Sequence, residues 1–305
     1  MVVTHGSLRA SRGPWAVTIG NFDGVHLGHR ALLERAKTRA RELGTGACVV
    51  TFEPHPREFF LKDAAPPRLC GLRDKLEQMA QAGIGRVHVA RFDAGFAALP
   101  PERFVDDILV RGLKTRWLAV GTDFRYGRGR AGDFASLQAA GRAHDFEVEA
   151  IPDVTADGER ISSSAVRAAL QAGDFARAER LLGRRYSIGG RVVHGARLGR
   201  ELGFPTANIP LRHRPPLSGI YVVRVPGFGP GVASLGLRPT VNPVPRPLLE
   251  VHLLNVAPGP LYGRRLCVEF LAKLRDEEKY PDLQQLKTAI ARDVQRAEDY
   301  FARHG

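Results

Sequence analysis

The sequence has few cysteines and no long apolar run. Its three cysteines, Cys48, Cys70 and Cys267, are far apart and include no CxxC pair, which disfavours disulfides, a zinc knuckle and a redox couple. No stretch approaches the roughly 18 consecutive apolar residues that a membrane span requires, and the opening segment lacks the apolar core of a signal peptide. We therefore expect a cytoplasmic protein without structural metal and without a membrane partner.

Acidic residues are in the minority. The chain has 32 Asp and Glu against 45 Lys and Arg, a net charge of +13, which suggests an anionic partner, either a nucleic acid or a phosphorylated small molecule. The basic residues form no run of five or six, which disfavours a nucleic-acid-binding tail. A length of 305 residues exceeds what one hydrophobic core usually holds, so two domains are expected.

The first half alternates short apolar runs with amphipathic ones, which is typical of an α/β domain whose parallel strands are joined by crossover helices. Three amphipathic runs with apolar residues three and four apart predict helices over 31–44, 102–113 and 132–146. The predicted strands are 15–20, 46–52, 86–92, 115–121 and 147–152.

After Leu182 the pattern changes to closely spaced strand-like runs separated by Gly and Pro, which predicts a small antiparallel β-barrel. A final helix carries an apolar stripe from Leu283 to Phe301 that should pack against this barrel. We place the domain boundary near Gly183, giving domains 1–183 and 184–305. The predicted barrel strands are 187–195, 206–211, 219–225, 231–237, 248–254 and 264–274.

The first predicted strand runs into GNFDGVHLGH, where Gly20, Gly24 and Gly28 let the backbone approach a phosphate just before a helix begins. His26 and His29 are three residues apart, so a helical turn would place both rings on one face, where they can bind the same phosphate chain. A bare HxxH pair is more often a surface or metal pair. Here the pair follows the first predicted strand, at the point where the strand order of a parallel sheet reverses, and this position favours a nucleotide site.

Two later segments of the first domain carry polar residues at positions suited to a ligand. Asp123 follows an apolar predicted strand, where ligand contacts concentrate, although a solvated loop aspartate is the alternative. Ser162, Ser163 and Ser164 precede a helical run, and Arg167 adds a bidentate phosphate donor. Simple helix capping explains one serine, but not three and an arginine.

Four segments of the first domain follow one another as TIGNFDGVHLGH, FEPHPREFF, VGTDFRYG and ISSSAVR. In that order they resemble the FAD synthetase module of prokaryotic bifunctional riboflavin kinase/FMN adenylyltransferases, HxGH nucleotidyltransferases with a Rossmann-like fold. The resemblance implies that His26, His29 and Arg167 act on the phosphates during adenylylation of FMN. It also implies that the following residues bind the nucleotide or substrate: Gly20, Asn21, Phe22, Asp23, Gly24, Asp123, Ser162, Ser163 and Ser164.

The barrel has its own group of polar residues. Thr206 and Asn208 are two apart on a predicted strand and share a face, and their oxygens are ligands that Mg²⁺ accepts. Glu250 lies among apolar neighbours and could be a general base whose pKa is raised by desolvation. Alternation places Glu250 on the face of His252, so an outward-facing charge on an edge strand is the alternative.

The segments GFPTANI, SLGLRPTV, LEVHLLN and LYGRRLCVEFLAKLR, followed by the last helix, resemble riboflavin kinase. The resemblance implies that Thr206 and Asn208 bind Mg²⁺ and the ATP phosphates, and that Glu250 accepts the proton of the ribityl 5′-hydroxyl. Gly195 and Arg238 are expected to bind substrate or nucleotide as well. The family often has Asn where this chain has Ser234; since the hydroxyl also forms hydrogen bonds, we expect a modest effect on flavin affinity.

Together these patterns predict a two-domain enzyme that uses ATP and Mg²⁺ to phosphorylate riboflavin to FMN and then adenylylates FMN to FAD, releasing pyrophosphate. We expect no nucleic-acid partner, and a monomer or weak homo-oligomer. Three alternatives stay open: an adenylyltransferase with another phosphorylated acceptor, a nonenzymatic nucleic-acid binder, and an enzyme in which only one of the two sites is active.

Overall fold

The computed structural model divides into two compact units. Residues 1–66 and 72–162 form the first unit, and residues 67–71 and 163–305 form the second. Among the helices of the described residues, none combines the length and the apolar character needed to cross a bilayer. The structure describes residues 1–6, 13–195, 202–238, 246–254 and 261–304.

The first unit contains the predicted parallel sheet, with six strands where five were predicted. Its strands are β1 (Val2–His5), β2 (Trp15–Ile19), β3 (Gly46–Glu53), β4 (Arg86–Arg91), β5 (Thr115–Gly121) and β6 (Glu147–Ile151). They pair in the order β1-β4-β3-β2-β5-β6. The chain adds β3 and β4 on one side of β2 and then returns to add β5 on the other. The carboxyl ends of β2 and β5 therefore flank the switch point, where open α/β sheets bind ligands.

Helices cover both faces of this sheet. Successive strand residues point to opposite faces, so Ala16 packs with Ala36 and Ala40 on one side and Val17 packs with Leu109 on the other. The helices are α1 (Leu27–Glu42), α2 (Pro56–Leu61), α3 (Leu72–Gln81), α4 (Ala94–Ala97), α5 (Pro101–Phe104) and α6 (Phe134–His144). A short hairpin, β7 (Thr155–Ala156) with β8 (Glu159–Arg160), ends the unit.

The first unit differs from the sequence prediction in several features, since α2, α3, α4 and the β7–β8 hairpin were not predicted. The helix expected over 102–113 is α-helical only in α5 and continues as a π-helix over Val105–Gly112. Its apolar positions still face the core, so the wider turn changes the hydrogen bonding but not the buried side. Strand β1, which pairs in parallel with β4 at the sheet edge, was not predicted, because four half-exposed residues carry too little apolar pattern.

The second unit contains the predicted antiparallel barrel. Its strands are β9 (Ser187–Arg191), β10 (Ala207–Pro210), β11 (Gly219–Val225), β12 (Gly229–Arg238), β13 (Arg246–Leu253) and β14 (Arg265–Arg275). They pair in the order β10-β13-β12-β11-β14-β9, each pair antiparallel. An isolated bridge between Val193 and Asn208 brings the segment after β9 against β10. The sheet is therefore nearly closed.

In the described part of the second unit the helices are α7 (Ser163–Gln171), α8 (Phe175–Leu182) and α9 (Leu283–His304). Helix α9 packs on the barrel, as predicted, through Ala297 and its neighbours against Ile220 and Val222. The apolar stripe does not bury its whole length, however, because Leu283 is 57% exposed. Asp293, only 3% exposed, accepts two bonds from the guanidinium of Arg275 and so ties α9 to the end of β14.

Candidate active sites

The turn from β2 into α1 has a strained backbone. Phe22 has φ 49° and Val25 has φ 41°, a left-handed conformation that costs a non-glycine residue roughly 1–2 kcal/mol. Both side chains are fully buried, so their packing offsets the strain. Gly24, with φ 84°, adopts the same region without that cost. The turn is thus fixed in one conformation directly before the predicted phosphate site.

The two predicted histidines lie against each other at the start of α1. Their rings are stacked, with centroids 3.6 Å apart. His26 caps the helix, since its Nδ1 accepts a hydrogen bond from the His29 backbone N–H at 3.3 Å. A Cβ at Gly28 would lie 3.2 Å from His26 Nδ1, so a larger residue there would push the ring. The helix N-terminus and both imidazoles therefore share one position, which favours an anionic ligand.

His29 is held in its neutral form. Burial, and then the positive charges of His26 and Lys75, lower the pKa of His29 well below its ordinary value. Its buried Nδ1 has no hydrogen-bond partner in the part of the chain that the structure describes. A neutral, incompletely bonded imidazole at a helix N-terminus can form a hydrogen bond with an incoming phosphate.

The other predicted residues around this turn are present but have protein partners. Asp23 is 2% exposed within the turn, and the Asn21 carbonyl accepts hydrogen bonds from Lys75 and Thr51. A Cβ at Gly20 would lie 3.1 Å from the ring of Phe22, so the strand end and the turn are closely packed. These residues shape the site, and their contact with a nucleotide stays a prediction.

Asp123 lies beyond the end of β5, on the other side of the switch point from the histidine turn. Its carboxylate pairs with the guanidinium of Arg160 at 3.3 Å, and both side chains are exposed. Arg160 also binds Asp153 at 2.8 Å. Asp123 is therefore an exposed loop carboxylate with an arginine partner, as the alternative interpretation expected, and its contact with a ligand stays a prediction.

The predicted serine loop falls at the division between the two units, after Ser162. The carbonyl oxygen of the preceding Ile161 lies 3.5 Å from where a Cβ of Gly28 would be, so the chain enters the loop beside the histidine helix. Helix α7 begins at Ser163. Arg167 is 7% exposed, and its Nε donates to the Pro67 carbonyl at 2.6 Å. Phosphate binding by Arg167 and the serines stays a prediction.

An aromatic cluster follows the carboxyl ends of β3 and β4. The rings of Phe59, Phe60 and Phe92 have centroids 5.1 to 5.7 Å apart, and Phe60 is 62% exposed. The edge of the sheet that should bind the nucleotide thus also offers an aromatic surface, suited to a planar ring. Sequence reasoning noted FEPHPREFF as a resemblance only and assigned no residue of it.

In the barrel, three polar residues form a row across adjacent strands. Asn208 in β10 pairs with Glu250 in β13, which pairs with Ser234 in β12. Directly opposed residues share a face with Cβ atoms about 5 Å apart. Because β13 has a partner on each side, Glu250 does not lie on an edge strand, but it lies on the less buried face of β13, opposite Leu249 and Val251, and its role as a base stays a prediction. The row brings a carboxylate, an amide and a hydroxyl together.

One end of this row is tightly packed. Asn208 is 8% exposed, and its Nδ2 donates to the Thr206 carbonyl at 3.4 Å. A Cβ at Gly195 would lie only 2.5 to 2.7 Å from the amide atoms of Asn208. Glycine therefore allows the backbone at 195 to lie directly on this side chain. On the same strand as Glu250, the ring of His252 is held by the Pro205 carbonyl, 2.9 Å from Nδ1.

The oxygens at this end suit a hard cation. The Thr206 hydroxyl, the Asn208 amide oxygen and the Glu250 carboxylate are the donor types that Mg²⁺ prefers. In the described ranges no group of three or more His, Cys, Asp or Glu could hold a metal ion. A cation here would therefore depend on these mixed oxygens together with a ligand's phosphates, as in other phosphoryl-transfer sites.

At the other end of the row, Ser234 contacts a second carboxylate. Its Oγ donates to Glu277 Oε1 at 3.4 Å, and a Cβ at Gly236 would lie 2.0 Å from the same oxygen. The Glu277 carboxylate thus covers β12 beside the row. Sequence reasoning missed Glu277. Arg238 ends β12, but its side chain lies outside the described residues.

Comparison with known proteins agrees with this division of sites. Residues 9–165 match the family model described as FAD synthetase, and residues 182–301 match the one described as riboflavin kinase. The bifunctional riboflavin kinase/FMN adenylyltransferase of Escherichia coli strain K12 is 48% identical over 302 residues, which cover 97% of this chain and 96% of the relative. This chain belongs to that family.

Two further comparisons agree. The riboflavin kinase/FMN adenylyltransferase of Pseudomonas fluorescens is 50% identical over 295 residues, covering 95% of this chain and 94% of the relative. A crystal structure of a Streptococcus pneumoniae protein described as a macrolide-efflux protein matches with TM-score 0.79 and 25% identity, covering 98% of this chain and 99% of that one. The family and the two fold classes predicted from the sequence are thereby confirmed.

The close contact at Gly195 predicts a specific defect in the riboflavin kinase module. In Gly195→Ala the new methyl group displaces the Asn208 amide, and since a shift of about 1 Å at a reactive site can cost 100-fold, we expect the rate of riboflavin phosphorylation to fall by about 10- to 100-fold. Steady-state kinetics with riboflavin and ATP measure it. Gly85→Ala, where a Cβ meets nothing within 4 Å, is the control. A wild-type rate in Gly195→Ala would contradict the assignment of Asn208.

Proposed function

We propose that this chain phosphorylates riboflavin with ATP at the barrel row and adenylylates the resulting FMN with a second ATP at the histidine pair. The observation that carries the proposal is that one chain holds two separate sets of polar groups, each inside the matching family segment. One set is the stacked His26 and His29 pair at a sheet switch point. The other is the Asn208, Glu250 and Ser234 row of the barrel.

At the barrel row, Glu250 accepts the proton of the ribityl 5′-hydroxyl. The hydroxyl oxygen then attacks the γ-phosphorus of ATP, the bond from that phosphorus to the β,γ-bridging oxygen breaks, and ADP leaves with that electron pair. The Thr206 hydroxyl and the Asn208 amide oxygen would hold Mg²⁺, which neutralises charge on the phosphates when bound. The tight packing of Gly195 on Asn208 supports a fixed position for that oxygen.

At the histidine pair, an oxygen of the FMN phosphate attacks the α-phosphorus of ATP. The bond from the α-phosphorus to the α,β-bridging oxygen breaks, pyrophosphate leaves, and no protein nucleophile is needed. Catalysis by positioning and charge stabilisation is supported by the α1 N-terminus and the imidazoles of His26 and His29. Phosphate binding by Ser162–Ser164 and Arg167 is what the family resemblance implies. The neutral imidazole of His29 can donate a hydrogen bond from a ring N–H to a phosphate oxygen as negative charge develops.

The aromatic cluster supports FMN as the acceptor at this site. Phe60 exposes most of its ring at the same sheet edge as the histidine turn, and an isoalloxazine ring is planar and largely apolar, so stacking would hold it. An acceptor without an aromatic ring would gain nothing from this surface. The cytoplasmic location, the lack of a nucleic-acid partner and the monomeric or weakly associated state stay predictions from the sequence.

A time course tests the proposal directly. The purified chain is mixed with riboflavin, ATP and Mg²⁺, and the flavins are separated by chromatography. We expect FMN to rise first and FAD to follow as FMN is consumed, because the product of one site is the substrate of the other. Riboflavin left unchanged would contradict the kinase assignment. Supplied FMN left unchanged would contradict the adenylyl transfer and leave another acceptor for the histidine site.

A further inference from the structure

A buried lysine contacts the turn that leads from β2 to the two histidines. Lys75 in α3 is 2% exposed, and its Nζ donates to the Asn21 carbonyl oxygen at 2.7 Å and to Thr51 Oγ1 at 3.3 Å. Thr51 Oγ1 donates to the same carbonyl oxygen at 3.2 Å. Two donors, one from α3 and one from β3, therefore meet at one backbone oxygen of the turn after β2.

Packing alone does not account for a lysine at this position. Lysine is almost never fully buried, and removing its charge from water costs several kcal/mol before any partner is found. The neighbouring Leu72, Leu76 and Met79 fill the apolar face of α3, and a fourth apolar side chain would continue that face at lower cost. The lysine is thus explained by the polar groups that it holds.

The oxygen that Lys75 holds is the last backbone acceptor before the strained part of the turn. Asn21 precedes Phe22, whose φ is 49°, and the turn continues to His26. Fixing the Asn21 peptide therefore fixes where the turn starts, opposite the end fixed by the His26 cap on α1. A site that needs the two histidines at one phosphate requires both ends to be fixed.

The charge of Lys75 also reaches His29. Burial, His26 and Lys75, in that order, lower the pKa of His29. Asp23, the buried carboxylate of the same turn, lies close in sequence and counts among the charged groups there. A fixed ammonium near His29 adds positive potential at that ring, and preorganised positive charge stabilises negative charge that develops in a reaction.

We propose that Lys75 is a positioning residue for adenylyl transfer, which holds the turn carrying His26 and His29 through the Asn21 carbonyl and the Thr51 hydroxyl. The proposal rests on the adenylyl transfer assigned above to the histidine pair. Lys75 itself touches no reacting atom. It acts by fixing the backbone and by keeping positive potential near His29.

The test compares Lys75→Met, Lys75→Arg and the control Lys37→Met in the full chain. Lys37 binds Glu34 and the Ala82 carbonyl on the same unit, away from the turn. With FMN and ATP supplied, we expect Lys75→Met to lower kcat for FAD formation about 100-fold with little change in the KM for ATP. Lys75→Arg should recover most of this loss. Riboflavin phosphorylation by the same variants should stay at the wild-type rate, which excludes general damage.

Titration of His29 by NMR gives a readout that a packing role would not move. Lys75→Met removes a positive charge, so the pKa of His29 should rise, and Lys75→Arg should restore it. A loss of activity without this rise and without rescue by arginine would overturn the proposal. If Lys75→Met keeps the wild-type rate while His29→Ala does not, only the inference about Lys75 fails. If His29→Ala also keeps it, the adenylyl-transfer assignment itself fails.

If thermal melting shows that the first unit does not fold in Lys75→Met, Thr51→Val is used as the test variant instead. This variant keeps the lysine and removes one of the two donors to the Asn21 carbonyl. We expect about a 10-fold lower rate of FAD formation, since a charged donor remains. A wild-type rate in Thr51→Val would then overturn the proposal.

Discussion

His29→Ala is expected to lower the rate of FAD formation from supplied FMN by about 100- to 1000-fold, the range found when one preorganised donor is removed from a site of developing charge. The loss follows from the position of the ring, which is stacked on His26 at the N-terminus of α1. Riboflavin phosphorylation should continue, so FMN should accumulate. Chromatography of the flavins with time, starting from either riboflavin or FMN, measures both steps.

The matched control is His144→Ala, which removes a half-exposed histidine of α6 that pairs with Asp106 at 3.5 Å. It should form FAD at the wild-type rate. Because the pKa of His29 is lowered in the folded protein, the unfolded chain binds its proton more readily. The His29 contribution to the free energy of unfolding is therefore complete above about pH 6.5 and is lost as the pH falls. His29→Ala should show a weaker loss of stability in acid. Unchanged FAD formation would refute the assignment.

Glu250→Gln is expected to lower kcat for riboflavin phosphorylation by about 100- to 10,000-fold, the usual contribution of a general base. Glutamine keeps the shape and the pairing with Asn208 and Ser234 across the strands, but it cannot accept the proton of the 5′-hydroxyl. FAD formation from supplied FMN should be unaffected. Initial rates with riboflavin and ATP, followed by chromatography, give the result.

Glu269→Gln is the control for this variant. Glu269 lies on β14 of the same barrel and pairs with Arg185 at 3.6 Å, so its replacement changes a charge without touching the row. A Glu250→Gln enzyme that retains a rate close to wild type would show that the proton leaves by another route. A loss of both activities together would instead indicate damage to the whole chain, which thermal melting would reveal.

The sheet and the barrel could be predicted because their strands follow simple periodicity. Runs such as 46–52 are apolar throughout, as strands covered on both faces are, whereas 248–254 alternates, as a strand with one buried face does. Strand β1 and the π-helix at Val105–Gly112 could not be predicted in the same way. The first has too few buried residues, and the second has the same apolar spacing as an α-helix.

The histidine turn and the glutamate of the barrel could also be located, because their residues are adjacent in sequence or lie within a recognisable strand. Lys75 was missed although a signal was present: it lies three residues from Leu72 and four from Met79, on the apolar side of α3. Its contact with Asn21 joins residues 54 positions apart, which no local pattern reveals. The same holds for the contact of Ser234 with Glu277, which are 43 positions apart.

The row of Asn208, Glu250 and Ser234 makes the barrel chemistry depend on strand alignment. A single inserted or deleted residue within β13 would turn Glu250 into the apolar interior and present Leu249 or Val251 in its place. Substitutions that keep the length of the strand alter one contact at a time, whereas a change of length removes the carboxylate altogether. The three strands must therefore keep their lengths for the oxygen atoms to stay side by side.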